Sequence, residues 1–129
     1  MPGAREHLDR DQPIGPLLCG ILHYILDEEN PTQVVETLYR ALPAGSYVFI
    51  HHMLDSEDSA SVTLQEAMQK GLGRTQFRTF AQIRELFGGL ELVEPGVVLV
   101  PDWRPDPGAQ GVPHHPVLGL VAAGVASKA

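Results

Sequence analysis

From Ile14 to Ile25 the chain reads IGPLLCGILHYI, an almost unbroken apolar run. A strand buried on both faces reads this way, as strands of parallel sheets do. Polar residues Asp27 to Asn30 end the run, and Asn30-Pro31 marks a helix start: Asn can accept from exposed N–H groups, and Pro suits the first helical position. Val34, Val35, Leu38 and Leu42 then recur at helical spacing until Pro43 and Gly45. Ser46 to Met53, rich in Tyr, Val, Phe and Ile, predicts a second strand. Strand, crossover helix and strand together make a parallel pair.

A second helix is predicted from Ser56, with Ala60, Leu64, Ala67 and Met68 on one face and Gly71 near its end. Thr79 and Gln82 have the spacing of a capping box for a third, short helix carrying Phe80, Ile83, Leu86 and Phe87, stopped by Gly88 and Gly89. Leu90 to Val100 and Val117 to Ser127 read as two closing strands. The Pro- and Gly-rich loop between them, residues 101 to 116, excludes regular structure. No helix separates these last strands, so an antiparallel hairpin is expected at the end of an otherwise mostly parallel α/β sheet.

Composition narrows the function. With 129 residues the chain is one domain or part of one. Nine basic residues against sixteen acidic ones give a net charge of -7, and the basic residues are scattered, which argues against nucleic-acid binding. No apolar run reaches the length a bilayer crossing needs, and the acidic opening does not resemble a signal peptide. The single cysteine, Cys19, fits a reducing cytoplasm, and its apolar neighbours predict a small buried hydrophobe rather than a nucleophile.

Candidate chemistry is sparse. Six histidines invite a metal centre, but His51 and His52 point to opposite faces of a strand and His114 and His115 sit between prolines, so no metal site is expected. Asp27, Glu28 and Glu29 lack the pattern of a calcium loop and read as a solvated turn. Gly71-Leu72-Gly73 follows a helix rather than a strand, as a helix end does. There is no nucleophile elbow and no phosphate loop with its lysine.

Three stretches say more: LLCGILHYILDEENP, LYRALPAGSYVFIHH and FRTFAQIRELFGGLELVEPGVVLVPDWRP. In order and spacing they resemble the carboxyl-terminal half of the actinobacterial S-adenosyl methyltransferase family, a class I methyltransferase family of domain-of-unknown-function type. The resemblance runs from about Asp9 to Val125. It implies a partial Rossmann-like class I fold over residues 13–129, behind a short leader of residues 1–12. It also implies S-adenosylmethionine as cofactor, held chiefly by an amino-terminal half whose glycine-rich loop and acid this chain does not contain. The expected function is therefore the substrate-side half of a methyltransferase, inactive alone, with a small-molecule methyl acceptor that the sequence does not identify.

On that resemblance Leu22, His23 and Tyr24 would lie at the carboxyl edge of a central strand, where open α/β sheets bind ligands. Leu22 and His23 are the cofactor-side candidates and His23 the catalytic one; Tyr24, His51, His52 and Arg78 are the substrate-side candidates. A histidine bonded to neighbouring backbone at a strand end is the alternative reading of His23. Leu26 stands where the family usually has Pro. Without a neighbouring strand, residues 14–25 would present an apolar edge with no Lys or Glu to guard it, so a homodimer or a complementing cofactor-binding half is the expected partner. A non-enzymatic module pairing through that edge is the second functional reading, and a fragment of a longer gene product the third.

Overall fold

The computed structural model describes residues 3, 6–109 and 119–129. The first strand, β1, is Leu17–Cys19, much shorter than the expected 14–25. Pro16 and Gly20 punctuate the apolar run: Pro has no N–H to give a ladder, and Gly20 turns the chain with a φ of +65° that other residues resist. Residues 22–24, expected as strand, instead form a 3-10 turn. Leu18 is half-buried while Leu17 and Cys19 are exposed, so the expected burial of Cys19 is corrected. An edge strand with one covered face leaves alternate side chains outside.

Helix α1, Pro31–Arg40, begins at the predicted proline. Its capping differs from expectation: Asn30 adopts the left-handed conformation, and its amide bonds to Gln33 Oε1 rather than accepting a backbone N–H. The far end is held from across the sheet, where Lys128 Nζ donates to Tyr39 O at 2.8 Å and also to the carbonyls of Arg40 and Leu42. A cation there complements the helix dipole. Strand β2, Tyr47–Met53, matches its prediction and alternates, with Val48, Ile50 and His52 buried.

Helix α2, Ser59–Leu72, starts three residues later than expected because Asp58, not Ser56, caps it, accepting from Ser61 N at 2.9 Å. Helix α3, Phe80–Leu86, has the predicted capping box: Gln82 N donates to Thr79 Oγ1 at 3.2 Å and Thr79 N to Gln82 Oε1 at 2.9 Å. The strand expected over residues 90–100 is two short pieces, β3 (Glu91–Leu92) and β4 (Val98–Leu99), separated by a turn that Gly96 N closes on Val93 O at 2.9 Å. The last strand, β5, is Val121–Ser127; positions 117 and 118 lie outside the described residues. So do 110–116 of the loop, whose described part includes 3-10 turns at Val100–Asp102 and Pro107–Ala109.

The sheet order is β1-β2-β5-β3, with β4 also on β5. β1 and β2 are parallel, while β5 is antiparallel to β2, β3 and β4. The expected class of fold is thus present, its parallel part represented by the β1–β2 pair. Val35 of α1, Val48 and Ile50 of β2, Ile83 and Phe87 from the α3 segment, and Ala122 and Ala126 of β5 share one core. Burying each larger aliphatic contributes about 1.5–3 kcal/mol. Small residues on β5 let Phe87 close on the strand: a Cβ at Gly124 would stand 3.0 Å from Val97 and 3.3 Å from Phe87.

Candidate functional site

The turn after β1 carries the candidate residues Leu22, His23 and Tyr24. Gly20 N–H still donates to His51 O at 3.1 Å, so the chain leaves the sheet beside the end of β2. The 3-10 turn Leu22–Tyr24 then drives Leu22 into the core and Tyr24 outward, 41% exposed. His23 lies between them, 4% exposed, its ring centroid 4.2 Å from that of Tyr24 and 5.9 Å from that of His52. Its Cε1 is 3.7 Å from where a Gly20 Cβ would stand, so the ring packs on the bare glycine.

Behind this turn runs a strap, residues 73–79, joining α2 to α3. Gln69 Nε2 donates to Thr75 O at 2.9 Å and Phe77 N to Gln65 Oε1 at 2.8 Å, which tie the strap to α2. Asp55 N donates to Arg78 O at 2.8 Å, which ties it to the end of β2. Arg78 is 1% exposed, and its five N–H groups all meet protein acceptors. Nε and Nη2 reach Asp27 Oδ1 at 3.1 and 3.0 Å, Nη2 also reaches Ile25 O at 2.7 Å, and Nη1 serves Leu22 O at 3.0 Å and His52 Nε2 at 2.9 Å. A planar fork with fixed donor directions suits such a cluster of acceptors; a point charge on a flexible stem does not.

That contact fixes the state of His52. Its Nε2 accepts from Arg78, and its Nδ1 lies 2.8 Å from Met53 O, so the proton is on Nδ1 and the ring is neutral. Burial, foremost, and the adjacent guanidinium hold its pKa down at about 4. His23 is also shifted down, first by burial and then by His51 and Arg78. The Asp27 carboxyl is held below its usual range, chiefly by the Gln76 amide and then by Arg78. Gln76 and Asp27 bond in both directions: Gln76 Nε2 donates to Asp27 Oδ2 at 2.7 Å, and Asp27 N to Gln76 Oε1 at 2.9 Å.

All the sequence-derived candidates therefore gather at one end of the sheet, but in two groups. Leu22, expected on the cofactor side, is packed in the core and its carbonyl is occupied by Arg78 and Ile25 N; it offers no free surface. His52 and Arg78, expected on the substrate side, are enclosed and saturated by internal partners, and a further chain could only bury them more. His23, His51 and Tyr24 keep chemistry to spare. The Nδ1 atoms of His23 and His51 are buried with no hydrogen-bond partner among the described residues. Asp27 was read from the sequence only as part of a solvated turn and Gln76 was given no role, because residues 49 to 51 apart reveal a pairing only through the fold. No cluster of three or more potential metal ligands occurs among the described residues, and no helix there is long and apolar enough to cross a membrane.

Comparison with known proteins gives the family of the chain. A family model described as S-adenosyl methyltransferase matches residues 1–129. A presumed methyltransferase from Thermobifida fusca is 35% identical with a TM-score of 0.87, over 98% of this chain and 47% of that one. A DUF574 family protein from Streptomyces avermitilis is 31% identical with a TM-score of 0.84, over 97% of this chain and 48% of that one. Human N-acetylserotonin methyltransferase, solved with S-adenosylmethionine, shares the fold at 16% identity and a TM-score of 0.52, over 88% of this chain and 29% of its own. No curated protein matches the sequence. The chain spans about half the length of the two bacterial relatives. It belongs to the S-adenosyl methyltransferase family.

Proposed function

We propose that this chain forms the substrate-side half of an S-adenosylmethionine-dependent methyltransferase, with His23 at the cleft and a second half of the fold supplying most of the cofactor site. The observation that carries the reading is the His23 ring, buried and with Nδ1 unpaired among the described residues; burial also shifts its pKa down. Leaving a buried polar atom unmade costs about 1–3 kcal/mol, so a persistent orphan at a ligand-binding edge calls for a partner. His51 Nδ1 stands in the same condition at the end of the adjacent strand.

As to the cofactor, these residues fit one wall of a site and not the whole. Among the described residues no glycine-rich loop joins a strand to a helix, so they offer no cradle for the amino-acid end of S-adenosylmethionine. When bound, the sulfonium supplies an already activated methyl group, so the protein need only align the acceptor and take its proton. Tyr24 offers an exposed aromatic face and a hydroxyl at the cleft, and the His23 imidazole beside it would take that proton once the turn uncovers the ring, whose Nδ1 is enclosed in the free chain. His51 can accept or donate one further hydrogen bond. The polypeptide alone is expected to be inactive. Action in the cytoplasm belongs to the same proposal, supported by the lone cysteine.

The test is photochemical cross-linking. The chain is mixed with the remaining half of the Thermobifida fusca relative, irradiated with methyl-labelled S-adenosylmethionine and digested with trypsin. Label is expected in the peptide Asp11–Arg40, which contains His23 and Tyr24. Label confined to other peptides, or unchanged in His23→Ala and Tyr24→Ala, would refute the cleft assignment.

A second reading, a non-enzymatic interaction module, is favoured by the edge of the sheet. β1 has no outer neighbour among the described residues, and Leu17 on it is 67% exposed. Alongside lies an apolar groove of about 600 Å³ lined by Leu8, Ile14, Pro16, Val34, Leu38 and Leu42. Relatives about twice as long point to the other half of the fold as its occupant, rather than a second copy. A stable homodimer without cofactor affinity would favour the module instead.

A further inference from the structure

We infer that Arg78, together with Asp27 and Gln76, is the positioning device for His23. The inference rests on the reading of His23 as a cleft residue and adds how that ring is held. Three carbonyls around the ring, those of Leu22, His23 and Ile25, are fastened to the strap. Gln76 N donates to His23 O at 2.8 Å, and Arg78 takes Leu22 O on one side and Ile25 O on the other. Asp27, at the end of the turn, is gripped by Arg78 through Oδ1 and by Gln76 through Oδ2. The strap is itself anchored to α2 and to the end of β2.

What this arrangement leaves free is informative. Backbone on both sides of the imidazole is fixed, whereas the ring makes no hydrogen bond at Nδ1. Its orientation is set by Gly20 below and Tyr24 alongside, so the reactive nitrogen is not consumed in holding it. A buried guanidinium is costly to desolvate and adds little net stability over a packed hydrophobe, so what Arg78 contributes is the fixed geometry of the groups it binds. Rigid support behind a reacting group is the use to which such a network is suited. Arg78 touches no ligand surface and acts through His23, as a positioning residue.

The experiment is histidine-selective NMR on the ligand-free 129-residue chain, comparing wild type with Arg78→Lys, Asp27→Asn and Gln76→Ala. Lysine keeps the charge but not the fork. Each variant is expected to retain amide protection in β2 and β5, while the Tyr24 and Ile25 amides exchange at least about ten-fold faster. The His23 Hε1 to Gly20 Hα cross-peak is expected to fade and the His23 ring nitrogens to shift toward tautomer-averaged values. If Arg78→Lys or Asp27→Asn fails to fold, Gln76→Ala decides, because it removes the amide that holds Asp27 and leaves the Arg78–Asp27 pair in place. Unchanged His23 signals and Tyr24 and Ile25 exchange in the folded variants would overturn the inference. The readout uses no cofactor, so the two failures are distinguishable: a failed cross-linking result removes the cleft reading and with it the purpose of the positioning, whereas unchanged His23 signals remove the positioning alone.

Discussion

His52 is fully enclosed in the sheet and neutral, with a pKa of about 4 against 6.5 for a free imidazole. The unfolded chain therefore takes up a proton first as pH falls. The stability tied to His52 is complete above pH 6.5 and is lost progressively from there to about pH 4, about 3 kcal/mol in all. His23, shifted in the same direction, adds to the same slope. Urea unfolding at pH values above and inside that window should show the loss, and His52→Gln should flatten most of it; equal stability throughout would contradict the neutral, Arg78-bound imidazole. Asp27 acts with the opposite charge and lower down: its depressed pKa contributes stability that disappears only as pH falls below the ordinary carboxylate range.

Among the elements, the tight fit of α3 on β5 gives the sharpest expectation. Gly124→Ala would place a methyl group 3.0 Å from Val97 and 3.3 Å from Phe87, and overpacking of this kind costs about 1–3 kcal/mol. Thr79→Ala, which removes only the α3 cap, should cost about 1 kcal/mol. Thermal melts of the two variants should rank in that order, and a stability-neutral Gly124→Ala would mean the strand is free to shift. The α3 cap, the α1 start at Pro31 and all of β2 were legible in the sequence, because each is written in consecutive or helically spaced residues. β1 was overread, since an apolar run does not show where Gly20 bends it, and the 90–100 strand was overread across the Val93–Gly96 turn. The candidate histidines were legible as a set. Their sorting into a saturated pair, His52 with Arg78, and an unsaturated pair, His23 with His51, was not, because Asp27, Gln76 and Arg78 come together only through the crossing of two loops.

Among the described residues β1 is an edge strand of the sheet, and the turn that follows it carries His23 and Tyr24. Leu17 and Cys19 line the unpaired side of β1, an arrangement that seeks a strand partner. Leu17→Lys should weaken that association at least about ten-fold, read by light scattering after gel filtration, while leaving the fold intact; undiminished association would place the contact elsewhere. The central claim is a division of labour, with this chain forming the substrate side and another half of the fold binding the cofactor. It is tested most directly by calorimetric titration with S-adenosylhomocysteine, first of the chain alone and then of its co-eluting complex with the remaining half of the Thermobifida fusca relative. The account predicts no saturable heat from the chain alone and binding near one site per complex. Saturable binding by the chain alone, or none by a complex that has formed, would contradict it.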